Sequence, residues 1–168
     1  MNRMLLPVLA IIATLLVLNI GVYRHEQLLQ KGSVVYLPLA PVDPRSLLQG
    51  DYMALNYALV RDVDRSLQQH AGRHWPDYGT LQVLLRLDAR RVGTPVWVGT
   101  GAPEPGHDEL RLRVKIVNGY RIMLPSHAYF FGEGEAERYS RARYAILRVS
   151  KEGRSLLAGL ADEQLKPL

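Results

Sequence analysis

The sequence contains no cysteine, and this absence removes three classes of chemistry at once. A disulfide framework, a zinc–thiolate site and a thiol nucleophile all require that residue. His70 and His74 have the spacing of two zinc ligands on one helix face, but the glutamate of a zincin motif is missing and Gly72 is expected to end the helix between them. The other histidines are scattered: His25, His107 and His127. We therefore expect neither a metal nor another cofactor.

Charge is also missing from residues 4–23. A helix of about 20 apolar residues, rising 1.5 Å per residue, spans the hydrocarbon layer of a bilayer. Tyr23 lies at the end of this segment, where an aromatic side chain suits the lipid–water boundary. A cleaved signal peptide would be shorter and would carry an Ala-x-Ala-like site, for which residues 18–23 are unsuited. The pattern predicts an uncleaved signal anchor and short neck over residues 1–31, followed by one domain over residues 32–168.

The orientation of this single-pass anchor follows less directly from charge. Arg3 precedes the span and Arg24 and Lys31 come after it, so the flanking charges do not favour a cytoplasmic N-terminus. A lone N-terminal anchor after a short tail usually translocates the domain on its C-terminal side, and we expect the larger domain to be periplasmic or otherwise extracytoplasmic. The net charge of +5 suits anionic lipid as well as nucleic acid. The expected location excludes nucleic acid and leaves the bilayer as a partner.

The rest of the chain is patterned mainly as strands. Apolar and polar residues alternate with period two over residues 80–88 and 109–117, and β-rich runs occupy residues 33–39, 96–98, 128–131, 144–149 and 155–161. Asn118-Gly119 predicts a type I′ hairpin, although a two-residue turn would set Arg121 opposite Ile116 on the core face. Two small helices are predicted, over residues 61–72 and 135–143. The expected fold is mostly β with minor α: a transmembrane helix and then a compact antiparallel β-barrel or sandwich-like domain of about seven or eight strands.

One short stretch stands out between these elements, namely Gly50-Asp51-Tyr52-Met53-Ala54-Leu55-Asn56-Tyr57. Residues 43–50 carry the signals of one short helical turn, and Gly50 and Asp51 suit the turn after it. The alternation then predicts a strand over residues 50–60, with Leu55 and Tyr57 in the core. In this interpretation all five motif residues are structural: Gly50, Asp51, Tyr52, Leu55 and Tyr57.

This stretch matches the motif of the GDYXXLXY family of bacterial membrane-anchored proteins, which the chain resembles. A second block is similar as well, with Phe131-Gly132-Glu133-Gly134, Glu137-Arg138-Tyr139 and Ala142-Arg143-Tyr144-Ala145. The resemblance implies a bacterial inner-membrane protein with a multi-pass membrane protein as its partner. It implies no activity, substrate or catalytic residue.

Two patterns leave a catalytic alternative open. Asp51, Asp62 and Asp64 could form a carboxylate cluster, although Asp51 also suits a turn and the other two suit a helix start. Residues 42–51 resemble the Ser-Met-x-Pro-Thr-Leu-x-x-Gly-Asp segment of leader peptidases, but Val42 stands where their nucleophilic serine would be. We therefore favour a non-catalytic module, a subunit or binding accessory of a membrane complex, over a degenerate or unrecognised leader-peptidase-like hydrolase using the turn around Asp51.

A row of basic residues offers a binding surface. Arg111, Arg113 and Lys115 share one face of the predicted strand over residues 109–117, with successive side chains about 6.8 Å apart. Such a row could contact anionic headgroups or an acidic partner, or it could be the solvated face of a strand. The sequence does not identify a small-molecule ligand.

Overall fold

The structure is a computed structural model that describes residues 5–40, 52–69, 76–119 and 121–168. It begins with helix α1 (Leu5–Lys31), which is long and apolar enough over Pro7–Lys31 to cross a membrane. The helix runs on past Tyr23 and ends only at Lys31. Gly32 then donates its N–H to the carbonyl of Leu28 at 2.9 Å, and strand β1 (Ser33–Pro38) comes directly after it.

The described stretches after the neck are mostly β, as the patterning predicts, with nine strands in three antiparallel sheets. After β1 these are β2 (Tyr52–Ala54), β3 (Tyr78–Leu87), β4 (Gly93–Gly99), β5 (Glu109–Val117), β6 (Arg121–Met123), β7 (Ala128–Phe130), β8 (Tyr144–Val149) and β9 (Ser155–Ala161). The sheets have the orders β1-β8-β9, β2-β7 and β4-β3-β5-β6. Strands β5, β8 and β9 have the predicted bounds.

The core is one hydrophobic cluster to which the three-stranded and four-stranded sheets both contribute. Its fully buried side chains come from both sheets: Val35, Leu37, Leu81, Leu85, Leu112, Ile116, Leu147 and Leu160. A parallel bridge between Tyr36 and Val92 joins the edge of β1 to the turn before β4. Close approach there requires Gly93, since a Cβ would lie 3.1 Å from Val35 and 3.3 Å from Leu37.

The register of the hairpin between β5 and β6 differs from that of a two-residue turn, because three residues separate the paired strands. Asn118 and Gly119 have the positive φ values expected of Asn-Gly, 55° and 72°. The pairing sets Val117 opposite Arg121 and Ile116 opposite Ile122. One extra loop residue thus shifts Arg121 off the core face and buries Ile122, which is 2 % exposed.

The strand predicted over residues 50–60 is wrong in its length. β2 ends at Ala54, and helix α2 (Ala58–Gln69) begins where the strand was expected to continue, before the predicted start at residue 61. Met53, Leu55, Tyr57 and Leu59 are nevertheless all buried. Leu59 and Val63 lie one helical turn apart in α2. Leu59 therefore fits both the strand alternation from Met53 and the helical period, and the sequence does not reveal the change from strand to helix.

The second small helix is also shorter than predicted. Helix α3 (Ala136–Tyr139) ends before residue 143, because the backbone there turns toward a strand. The N–H of Arg143 donates to the carbonyl of Ala161 at 2.8 Å, which continues the pairing of β8 with β9.

Candidate functional site

The two sequence blocks of the motif resemblance meet at strands β2 and β7: β2 belongs to the first block, and β7 lies directly before Phe131, where the second block begins. Their register sets Tyr52 opposite Phe130 and Met53 opposite Tyr129. The rings of Tyr52 and Phe130 are 5.8 Å apart and face outward, with 37 % and 75 % of these residues exposed. Large exposed aromatic side chains are among those that protein interfaces use, so this pair is a candidate contact site. We call Tyr52 and Phe130 the aromatic pair.

The inward face of the same small sheet holds helix α3. The Tyr139 ring lies 5.1 Å from Tyr129 and 5.0 Å from Phe131, and Tyr139 itself is buried. Burial, followed by the hydrogen bond with Tyr139, raises the pKa of Tyr129. This cluster fixes the position of β7 and thereby of the aromatic pair.

Leu55 and Tyr57 lie in the core, as the alternation predicts, and connect the motif to the segment between β6 and β7. The N–H of Leu55 donates to the carbonyl of His127 at 2.9 Å, and the Tyr57 hydroxyl donates to the carbonyl of Ser126, also at 2.9 Å. Tyr57 is 4 % exposed, and burial raises the pKa of its hydroxyl. Gly50 and Asp51, the first two motif residues, lie outside the described residues.

A cleft of about 510 Å³ adjoins these contacts and includes Asn56, Tyr57, Arg61, Arg121 and His127 in its lining. The rest of its lining is largely apolar, including Leu55, Ile122 and Leu124, so the cleft combines apolar walls with a few polar and basic groups. A catalytic interpretation would also need Asp51 in contact with a base or a nucleophile, and Asp51 is not described.

The other two carboxylates of the possible cluster have separate partners. Asp62 forms an ion pair with Arg65 at 3.8 Å, whereas Asp64 accepts a hydrogen bond from the N–H of Ile122 at 3.3 Å. Burial raises the pKa of Asp64, while that hydrogen bond and the charge of Arg121 act in the opposite direction. Because α2 begins at Ala58, both lie within the helix and not at its start. Among the described residues no group of three or more histidine and carboxylate side chains could hold a metal ion, and His70 and His74 lie outside them.

The basic row on β5 divides into two parts. Arg111 is 21 % exposed at its side chain and is engaged by the loop before β5: its Nη2 donates to Pro103 at 3.2 Å and lies 3.7 Å from Glu104. Arg113 and Lys115 are exposed and line a groove beside α1. The row therefore contributes two of its three cations to one site.

We call this second cavity the neck groove; its volume is about 830 Å³ and it lies between the end of α1 and strands β5 and β9. Its cationic lining residues are Arg24 on α1, Arg113 and Lys115 on β5 and Arg154 before β9, and His25 and His127 line it as well. None of the described residues that line it is acidic. Sequence reasoning missed Arg24 and Arg154, because only the fold brings them beside Arg113.

The turn between β8 and β9 fixes one wall of the neck groove. The N–H of Arg113 donates to the carbonyl of Gly153 at 2.8 Å. Arg113 is free to do so because β6 pairs only with residues 115–117 of β5. Gly153 has a φ of +84°, and a Cβ there would lie 3.0 Å from the carbonyl oxygen of Arg111. Glycine at this position therefore allows the turn to pack closely against β5, and this contact places Arg154 at the groove.

A family model described as GDYXXLXY protein matches residues 14–160, from the middle of α1 to the end of β9. No curated protein and no solved structure matches the chain.

Proposed function

The chain belongs to the GDYXXLXY family, and we propose that it is a membrane-anchored, non-catalytic module that holds a β-rich domain against a membrane-protein neighbour. In this proposal α1 is an uncleaved anchor in the bacterial cytoplasmic membrane, and residues 32–168 form one domain on the extracytoplasmic side. The domain serves as a subunit or binding accessory of a complex with a multi-pass membrane protein.

The observation that carries this proposal is the junction between α1 and the sheets. Lys31 ends the helix and Ser33 begins β1, so one residue separates them. Arg148 on β8 donates through Nη1 to the carbonyl of Gly32 at 3.2 Å, and α1 also contacts β9. A junction tied in this way fixes both the height and the rotation of the domain above a bilayer. Such geometry suits a protein that must meet a neighbour in the same membrane.

The surface that we assign to this neighbour is the aromatic pair. Tyr52 and Phe130 are large, rigid and exposed, which are properties of residues that dominate protein interfaces. Both lie in or beside the blocks that define the resemblance to the family, and the cluster around Tyr139 supports them from behind.

Membrane insertion and orientation are tested with reporters at the C-terminus. We expect a C-terminal alkaline phosphatase fusion to be active, a cytoplasm-dependent fluorescent fusion to be dark, and the full-length chain to resist alkaline extraction from membranes. An inactive phosphatase with a bright fluorescent fusion would reverse the orientation. A shortened chain in the membrane-free fraction would show that α1 is cleaved.

The neighbour is tested by photocrosslinking in cells, with a photoreactive amino acid at Phe130 and, as the control, at exposed Arg141. We expect Phe130 to crosslink to an integral membrane protein and Arg141 not to do so. A ten-residue Gly-Ser insertion between Lys31 and Gly32 keeps the anchor but frees the domain, and it should abolish the crosslink. Equal crosslinking at both positions, or no effect of the insertion, would contradict a fixed geometry.

A further inference from the structure

We propose that the neck groove binds the phosphate group of an anionic phospholipid from the bilayer that holds α1. The proposal rests on the proposed membrane anchoring and goes beyond it, because it assigns a ligand class and a site to residues outside the family motif. It also differs from the proposed partner surface, which lies at the aromatic pair.

The height of the neck groove matches the headgroup layer. The uncharged part of α1 ends at Tyr23, and the groove-lining residues Arg24, His25 and Leu28 come within five positions of it. At 1.5 Å rise per residue they lie within about 8 Å of Tyr23 along the helix axis. The headgroup region extends roughly 5–7 Å on each side of the hydrocarbon core. A phosphate in this layer therefore lies beside the opening of the groove.

The charge of the neck groove favours an anion. Arg24, Arg113 and Lys115 form no ion pair among the described residues, and Arg154 has only a distant contact, 4.0 Å, with Glu152. The charge of Glu152 acts on Arg154 and Arg113 and offsets part of the positive charge; the remaining cations repel one another and leave their N–H donors to water. One phosphate group between them neutralises this repulsion and accepts several charge-assisted hydrogen bonds.

A second and independent observation is the Ser155 hydroxyl. Ser155 lines the neck groove, is only 6 % exposed, and its Oγ has no hydrogen-bond partner within the described part of the chain. A buried polar group without a partner is costly and rare, and it calls for an acceptor or donor that the protein does not supply. A phosphate oxygen at the base of the groove would accept a hydrogen bond from the Ser155 hydroxyl.

The remaining lining residues are mostly apolar and favour the binding of a lipid over that of a free ion. Leu28, Val114, Leu124 and Leu156 form apolar walls around the basic groups. A cavity of about 830 Å³ is much larger than one phosphate needs and can take a glycerol backbone with the first methylene groups of an acyl chain. Charged donors beside apolar walls fit an amphiphile.

The test uses the full-length chain in dodecyl maltoside micelles, with phosphatidylglycerol, phosphatidylcholine and inorganic phosphate as probes and bound lipid measured by native mass spectrometry. We expect one phosphatidylglycerol per chain, bound more tightly than phosphatidylcholine. Arg113→Gln with Lys115→Gln should weaken binding about 25-fold, since each cation near an anionic headgroup is worth about fivefold. Arg65→Gln with Arg141→Gln removes the same charge from surface positions that do not line the groove, and should leave the affinity unchanged.

Ser155→Ala separates binding from folding. Its lipid affinity should fall at least about tenfold, the lower limit for one hydrogen bond to a charged group, while the melting temperature of the lipid-free chain stays the same or rises. Equal losses in the groove and control double variants would overturn the proposal, and so would unchanged binding in Ser155→Ala. If millimolar inorganic phosphate displaced the lipid, the site would be one for a free anion, and the proposal of a lipid ligand would be overturned. Failure of membrane insertion would be detected separately by alkaline extraction and by the C-terminal reporters.

Discussion

Removing the Tyr57 hydroxyl should destabilise the protein measurably, because this group joins the motif to a segment that is distant in sequence. The hydroxyl donates to the carbonyl of Ser126 at 2.9 Å, and Tyr57 is 4 % exposed. Phenylalanine keeps the ring and its packing but leaves that carbonyl without a donor. The cost of such an orphaned group is about 1–3 kcal/mol. We therefore expect Tyr57→Phe to lower the free energy of unfolding by this amount.

The measurement is chemical denaturation of the full-length chain in mild detergent, followed by near-ultraviolet circular dichroism. Tyr78→Phe is the matched control, since the Tyr78 hydroxyl donates to Asn118 at 2.8 Å on an exposed surface where Tyr78 is 70 % exposed. Its loss should stay within about 0.5 kcal/mol. If Tyr57→Phe costs no more than Tyr78→Phe, the contact with Ser126 does not stabilise the fold.

The pH dependence of the same variant gives a second readout. Burial raises the pKa of Tyr57 above its ordinary value of 10.0, so the folded chain favours the protonated hydroxyl. This contribution to stability is fully present below the unfolded-state pKa near 10 and is lost as the pH rises from there toward the folded-state pKa. The stability of the wild-type chain should therefore fall more steeply above pH 10 than that of Tyr57→Phe. Tyr129, whose pKa is also raised, is present in both chains and cancels in the difference. Parallel pH profiles above pH 10 would refute the reasoning.

Three further variants test the motif and the neck groove. Leu55→Ala should cost about 2–5 kcal/mol in the same unfolding assay, because it empties a packed position that is 6 % exposed; a loss below about 1 kcal/mol would contradict the packing. Gly153→Ala should cost more than about 1 kcal/mol, owing to the positive φ and the contact with Arg111, whereas Gly101→Ala, which has open space around it, should be nearly neutral; equal effects would contradict the strain. Asp51→Asn keeps the shape and an acceptor oxygen, so it should preserve both stability and rescue of a deletion strain; normal folding without rescue would favour catalysis or ligand binding at Asp51.

The secondary structure was predictable wherever one periodicity applied. Along β5 the polar residues Arg113 and Lys115 alternate with Leu112, Val114 and Ile116, and the observed strand has the predicted bounds. Prediction failed at Leu59, which fits both the alternation from Met53 and the helical spacing to Val63. It also failed at Arg143, where a hydrogen bond to Ala161 draws the chain away from a helix that its local composition favours.

The neck groove could not be predicted, because its charges come from three parts of the chain. Arg24 was interpreted as a flanking charge of the anchor, and Arg154 carried no signal beside Gly153. Only Arg113 and Lys115 were identified, together with Arg111, which the loop before β5 engages instead. Alternation along one strand identifies a face, but it does not say which other element lies above that face.

The two blocks of the sequence pattern have a physical reason to occur together. β2 and β7 each have three residues, and a two-stranded sheet of this length is not stable alone. Its stability depends on Leu55 and Tyr57 at one end, which bond to His127 and Ser126, and on Tyr139 behind it. Loss of Leu55 and Tyr57 in the first block, or of Tyr139 in the second, would remove support from the strands that carry the exposed pair of Tyr52 and Phe130. The motif can therefore be architectural at Leu55 and Tyr57, which are buried after the end of β2, and still serve recognition through Tyr52, which is exposed on β2.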